Sequence, residues 1–298
     1  MSQPKDRLKK KSTGQFFVDS SCIDCGSCWQ IDPDHFAANG KTSYVHTQPN
    51  GPQEIKKALL ALIDCPVAAI SAPKNLIANL ATNVFPILVT KYSAGDVYYC
   101  GWSSHRSFGA SSWLIVRPEG NVLIDSPRWS DPLSKQIKKM GGIKHIVLTH
   151  RDDVADHAYW AKAFNCARWI HQDDSDAAPD AENKVIGQDI LPLSKSLKLI
   201  PTPGHTKGSL VAVLGNKKQI LFSGDHLWWD AKKAVIVASK TYCWWNWNAQ
   251  LKSIQRLIDL DIGWLLPGHG YAHQFMPGQW KEALTQTLNY SGKTVNHQ

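Results

Sequence analysis

The chain has 298 residues, 43% of them hydrophobic and 19% charged. That composition excludes a disordered chain or a low-complexity fibre and allows one large domain or two. The formal charge of +8 tilts toward anionic substrates, but the lysines are scattered with no dense basic stripe, so nucleic-acid binding is not expected.

In chain order, residues 1–15 form a basic tail without the apolar stretch of a secretory signal. Residues 16–75 read as a compact unit of their own, with turn-rich sequence around Asn39-Gly40 and Pro49–Pro52, and a helix over 54–63 leading to Cys65-Pro66. Residues 76–95 read as a linker or entry strand. From 96 to 298 apolar strand-like runs recur at 112–116, 121–124, 143–148, 197–200, 210–214, 219–222 and 264–266. Helical stretches at 131–140, 153–164, 249–259 and 278–290 lie among them, which predicts layered sheet and helix, an α+β fold. No apolar run is long enough to span a membrane, and neither a P-loop nor a dinucleotide-binding glycine motif is present.

Seven cysteines without a signal peptide point to metal ligation or free thiols, and to a reducing, cytoplasmic setting. Cys22, Cys25 and Cys28 follow C-x2-C-x2-C, and Cys65 is followed by proline. Three thiolates on one tight loop and a distant fourth suit a [4Fe–4S] cubane; zinc or a [3Fe–4S] form accepts similar donors, although structural zinc usually takes two separated pairs. Cys100, Cys166 and Cys243 stand alone as buried or free thiols. From Phe17 to Ile70 the segment resembles a bacterial-type ferredoxin. Where two-cluster members continue to a further Cys-Pro, this chain has Asp32-Pro33, so the resemblance implies one cluster.

Four short polar motifs follow four apolar runs. They are His150 through His157 (HRDDVADH), His205 in PGHTKGS, Asp225 in SGDH, and His269 in PGHG. If the runs are neighbouring strands, their ends converge, and histidine with aspartate suits zinc, iron or manganese. Over roughly residues 90–290 this order of motifs resembles the metallo-β-lactamase superfamily. The resemblance implies an αββα sandwich with one or two divalent metals, zinc or iron, at one edge. It carries metal-ligand roles onto His150, His205 and His269, with Asp225 as the bridging carboxylate.

The first motif departs from the family's H-x-H-x-D-H. Asp152 stands where the second histidine belongs, and Asp156-His157 falls two residues late. The alignment adopted gives Asp152 that histidine's place and keeps Asp156 and His157 as ligands through a longer loop, with Asp153 a further candidate. A carboxylate at this place is also found in the flavodiiron branch, which binds iron. Asp152 and Asp156 are the candidates to orient a water or move a proton. Arg151 is a candidate contact for an anionic substrate, His226 and His273 for outer hydrogen bonds to ligands, and His171 for an ordinary strand end.

Thirteen tryptophans, several between 228 and 247, form either core or the wall of a pocket or docking face. Three functions fit, of which the sequence favours the first, and the other two are alternatives. One is a hydrolase whose metal-bound hydroxide attacks an ester, thioester or phosphoester of a small substrate. Another is an oxidoreductase passing electrons from the cluster to an iron site. The third is a non-enzymatic scaffold that engages a redox protein. The separation of cluster and metal site discriminates the first two.

Overall fold

The computed structural model describes residues 14–293. All but the last two residues of the basic tail lie outside that range.

The lactamase-like part is built on two sheets. One has seven strands in the order Asn183–Val185, Ala167–His171, His145–Val147, Val122–Ile124, Trp113–Val116, Asp96–Tyr99 and Ile87–Thr90. The other has six, in the order Leu191–Pro192, Leu197–Pro201, Leu210–Leu214, Gln219–Gly224, Ile262–Pro267 and His273–Gln274. Side chains alternate across each strand. Ile115, Val122, Ile124 and Val147 therefore face Leu199, Ala212, Leu214, Phe222 and Leu266 across the sandwich, while Leu114, Leu123 and Ile146 face outward. The outward residues are covered by Leu133 and Ile137 of the helix Asp131–Lys139 and by Trp160 of the helix His157–Phe164. On the far side Val211, Val213 and Leu221 are covered by Ile254 of the helix Trp247–Gln255 and by Trp280 and Leu284 of the helix Gln279–Lys293. The result is the αββα sandwich. Each fully buried Leu or Ile contributes about 1.5–3 kcal/mol to holding the layers together.

Local signals fix the helix starts. Ser130 Oγ accepts from the Leu133 amide and Asn246 Oδ1 from the Ala249 amide, at 3.4 and 2.8 Å. The helix expected over 153–164 begins only at His157, because residues Arg151–Asp153 form a 3₁₀ turn and Ala155 takes φ +34°. The stretch 76–95 is more than a linker, since Ile87–Thr90 adds an edge strand to the seven-stranded sheet.

The N-terminal module closes on itself. Its strand Phe17–Val18 pairs with Ile70–Ser71, and Phe16, Phe36, Val45, Ala58 and Ala61 pack around Cys28 and Cys65. Pro52 opens the helix Pro52–Asp64, which runs straight into Cys65. Ile63 of that helix belongs to the same buried cluster as Phe85, Cys100 and Leu114, so the modules share apolar core. No described helix is long and apolar enough to cross a membrane.

Candidate metal centres

Cys22, Cys25, Cys28 and Cys65 line one small cavity walled by Val18, Ile23, Val67 and Ile70. Backbone amides donate to the sulfurs: Ser43 to Cys22 Sγ and Ala69 to Cys65 Sγ, each at 3.3 Å. Burial pushes the Cys25 thiol up to about 11 and raises Cys28 and Cys65 as well. Four thiolates cannot share this pocket without a cation to offset their charge. The donor set, the amides and the apolar wall fit an iron–sulfur cluster.

The second constellation lies where strand ends of both sheets meet. His150 follows the strand His145–Val147 and His205 the strand Leu197–Pro201. Asp225 and His269 follow Gln219–Gly224 and Ile262–Pro267, which are parallel neighbours and so deliver both residues to one end of the sheet. Asp225 Oδ2 lies 3.7 Å from His150 Nε2, 3.8 Å from His205 Nε2 and 3.7 Å from His269 Nε2. Two donor groups share it: His150, His205 and Asp225, and Asp153, Asp225 and His269, each with its ligand atoms within 4.8 Å of one another. Asp152 approaches the first group, with Oδ2 3.5 Å from His205 Nε2 and 3.8 Å from His150 Nε2. A side chain on Gly268 would meet Asp225 Oδ1 at 2.6 Å and Asp153 Oδ2 at 2.9 Å, which is why the last motif needs glycine before its histidine.

Outer hydrogen bonds orient two of the imidazoles. His150 Nδ1 donates to Thr149 Oγ1 at 3.0 Å, and that hydroxyl donates to Asp125 Oδ2, also at 3.0 Å. His205 Nδ1 donates to the Tyr242 carbonyl at 2.6 Å. Both bonds leave Nε2 unprotonated and facing the centre. Asp174 ties two ligand loops together, accepting from the Arg151 and Gly208 amides and from Thr206 Oγ1.

The electrostatics ask for a cation. His150 Nε2, His205 Nε2, Asp153 Oδ2 and Asp225 Oδ1 are buried without a hydrogen-bond partner, at about 1–3 kcal/mol each. Burial, with repulsion from Asp225, Asp125 and Asp152, drives the pKa of Asp153 well above the carboxylate range. Burial likewise pushes Asp125 up to about 8. Burial also opposes ionisation of Asp225, but the imidazoles of His269, His150 and His205 outweigh it and hold that carboxyl below its ordinary value. Divalent metal satisfies the orphaned atoms and neutralises the crowded carboxylates, so the residues fit the group.

The chain after His150 corrects the sequence alignment. Asp152 takes the expected place, but Asp156 and His157 do not reach the centre. The 3₁₀ turn presents both Asp152 and Asp153, and the chain then swings outward at Ala155. Asp156 accepts from Arg106 Nη1 at 3.2 Å and from the Trp129 amide at 2.7 Å, which also removes it as a catalytic candidate. His157 is buried, with Nδ1 3.4 Å from Arg168. Arg151 pairs with Asp176; the guanidinium that reaches the cavity is Arg106. His226 is buried with neither ring nitrogen bonded, and burial lowers its pKa to about 3. His273 stacks on Trp229, the ring centroids 3.6 Å apart. Neither contacts a ligand as an outer donor. His171 is the strand-end histidine expected, bonded to the Gly187 carbonyl. Sequence reasoning missed Asp125 and Asp174. Asp125 carried a signal: it directly follows the apolar run 121–124.

The two centres face one cavity of about 660 Å³. On one wall stand Asp152, Asp153, His205, Asp225 and His269, and on the other Asp24, Cys25, Trp29 and Gln30 of the cysteine-bearing module. Phe108, Trp228, Tyr242 and Trp244 line the remainder. Gly109, at φ +82°, lies so close to Cys25 that a Cβ there would meet its Sγ at 2.8 Å, and the ring of the neighbouring Phe108 is 6.2 Å from that of His269.

Fold and donors thus define an αββα sandwich with metal-ligand donor groups at one edge, carrying a four-cysteine module. A family described as the metallo-beta-lactamase superfamily matches residues 106–269, more than half of the chain, and one described as the 4Fe-4S single cluster domain of ferredoxin I matches residues 18–72. The chain belongs to the metallo-beta-lactamase superfamily. An uncharacterized protein of Bacillus subtilis (strain 168), YmaE, is 31% identical over 160 residues, 52% of this chain and 54% of that protein. The chain therefore spans about half the length of the curated relative it matches. Among solved structures, a metallo-beta-lactamase from Pontibacter korlensis superposes with TM-score 0.52 at 18% identity, over 70% of this chain and 99% of that one. The metallo-beta-lactamase FIM-1 from Pseudomonas aeruginosa, in its mono-zinc form, gives 0.51 at 17%, over 71% and 98%. These likenesses are of fold.

Proposed function

We propose that this protein is an oxidoreductase that couples a single iron–sulfur cluster on Cys22, Cys25, Cys28 and Cys65 to a carboxylate-rich metal centre, acting on a small substrate in the cavity between them. The observation that carries this reading is the shared cavity: Cys25 and the ligands Asp152, Asp153, His205, Asp225 and His269 line the same space. Metal-hydroxide hydrolysis needs no electron carrier, whereas a redox reaction in this cavity uses one beside it.

Bound in these sites, an iron–sulfur cluster supplies single electrons and divalent metal supplies Lewis acidity. Three carboxylates and three imidazoles are a hard donor set that suits iron or manganese as well as zinc. Asp152, half-exposed at the cavity and held ionised chiefly by the His205 imidazole, turns Oδ2 to the histidine donors and keeps Oδ1 to pass a proton. Trp29, Phe108, Trp228 and Trp244 exclude water and favour a substrate with an apolar or planar body. Arg106, at the cavity and paired with Asp156, meets an anionic end. This reading requires an external one-electron donor as partner, and free thiol ligands suit a reducing, cytoplasmic compartment.

Anaerobic reductive titration of the full-length protein, with metal analysis and Cys22→Ser alongside, tests it. We expect iron beyond the about four of the cluster, and electron uptake beyond the about one that the cluster takes, with the share held by the His150, His205 and Asp225 group persisting in Cys22→Ser. Uptake of about one electron, with zinc in the lactamase fold, overturns the redox reading and leaves metal-hydroxide hydrolysis of an ester, thioester or phosphoester.

A further inference from the structure

We propose that Gln30 is a positioning residue for the second metal, holding the His269 loop in ligating register from the cysteine-bearing helix, so that cluster assembly and loading of that metal are linked. The inference rests on His269 being a ligand.

The three histidines are not held alike. His150 and His205 each have an outer hydrogen bond, to Thr149 and to the Tyr242 carbonyl. Among the described residues, His269 has none on its ring, so its position is set by the main chain on either side. On the N-terminal side, Gly268 donates to the Gly224 carbonyl at 2.9 Å and accepts from the Ser111 amide at 2.7 Å. On the C-terminal side the support comes from the other module. The Gln30 carboxamide, turned so that both its ends are satisfied, accepts from the Gly270 amide at 3.1 Å and donates to the Gly270 carbonyl at 3.2 Å.

One side chain thus engages both backbone groups of the residue that follows the ligand. Gly270 sits at φ +86°, and a Cβ there would meet Trp228 at 2.5 Å, so this corner has few alternative paths. The next residue reinforces the clamp: Tyr271 packs on Trp29, ring centroids 5.2 Å apart, and its amide donates to the Trp229 carbonyl.

Cys28, Trp29 and Gln30 are consecutive on the five-residue helix Ser27–Ile31. A helix that short does not hold itself in water; its frame is the Cys28 anchor, with the Ser27 hydroxyl on the Gly109 carbonyl and Ile31 against the lactamase-side core. Closing the thiolate set fixes the helix, and the helix fixes Gly270. Asp153, Asp225 and His269 then stand within 4.8 Å of one another. The group of His150, His205 and Asp225 has its own supports and does not depend on this clamp.

The test is metal retention of the full-length protein, purified anaerobically and dialysed against graded chelator, with cluster absorption followed in parallel. Wild type is compared with Gln30→Ala, Gln30→Glu and His269→Ala. We expect Gln30→Ala to weaken the second metal by about 10–100-fold, the range for losing an outer support of a ligand, with the first metal and the cluster absorption unchanged. Gln30→Glu, which still accepts from the Gly270 amide, loses less. Wild-type retention in Gln30→Ala, with the second metal gone in His269→Ala, overturns the positioning role alone. Retention of both metals in His269→Ala overturns the ligand assignment beneath it.

Discussion

At the scale of single residues, the difference between Asp153 and Asp156 decides how the first motif works. Both are acidic, and both lie within one short stretch after His150. Asp153 is buried against Asp225 and Asp125 with an orphaned oxygen, whereas Asp156 spends both carboxylate oxygens on Arg106 and the Trp129 amide. Asp153→Ala is therefore expected to lose the second metal, with a fall in affinity greater than the about 10–100-fold that an outer partner is worth. Asp156→Ala is expected to retain both metals and to destabilise the fold by about 1–2 kcal/mol through the freed amide and guanidinium. Metal stoichiometry of the two variants checks this, and metal loss in Asp156→Ala with retention in Asp153→Ala would restore the longer-loop alignment. The motifs around His205, Asp225 and His269 were legible because each pairs its ligand with the glycine its turn demands. The choice between Asp153 and Asp156 was not, because it hangs on a 3₁₀ turn and a positive φ at Ala155 that no local signal announces.

At the scale of elements, the runs of apolar residues named most of the central strands, and one of the misses has a plain cause. The strand Ala167–His171 carries Arg168, whose side chain is only 6% exposed, and no apolar-run criterion selects it. It belongs in the sheet because Glu182 and Asp180 neutralise the guanidinium at 2.7 and 3.1 Å and link this strand to the segment that leads into Asn183–Val185. Hydrogen bonding to Arg168 holds the Glu182 carboxyl down to about 2, below the about 4.3 of an unfolded chain. A depressed carboxylate stabilises the fold above its unfolded pKa, and that contribution is lost as pH falls from about 4.3 toward 2. Glu182 is partly exposed, so screening limits the effect to about 1 kcal/mol. Urea midpoints measured at about pH 6 and about pH 3 should fall further for wild type than for Glu182→Gln. Equal falls would show that the pair adds nothing.

At the scale of the whole molecule, the consequential contact is between the modules, and it was the least legible of all. Local sequence identified both modules, but their docking depends on side chains far apart in the chain. Asp64, which precedes the cluster ligand Cys65, is fully buried and accepts from the Ser103 amide and hydroxyl at 3.0 and 3.1 Å and from the Tyr99 hydroxyl at 2.9 Å. Arg128 donates to the Ile63 carbonyl, and Ser27 Oγ to the Gly109 carbonyl at 3.0 Å beside Cys25. With Ile63 inside the lactamase-side core, these contacts make the cluster module a structural wall of the metal cavity. The two modules should therefore unfold together. Asp64→Ala strips the Ser103 amide of its acceptor in a buried place and is expected to lower stability by about 1–3 kcal/mol. Cluster bleaching and loss of the lactamase fold's circular dichroism should shift by the same amount and stay coincident. Bleaching that comes first, with the sheet signal left at its wild-type midpoint, would mean that the modules are held only by their linker. The shared cavity would then be one arrangement among several, and the redox reading would lose the fixed geometry on which it stands.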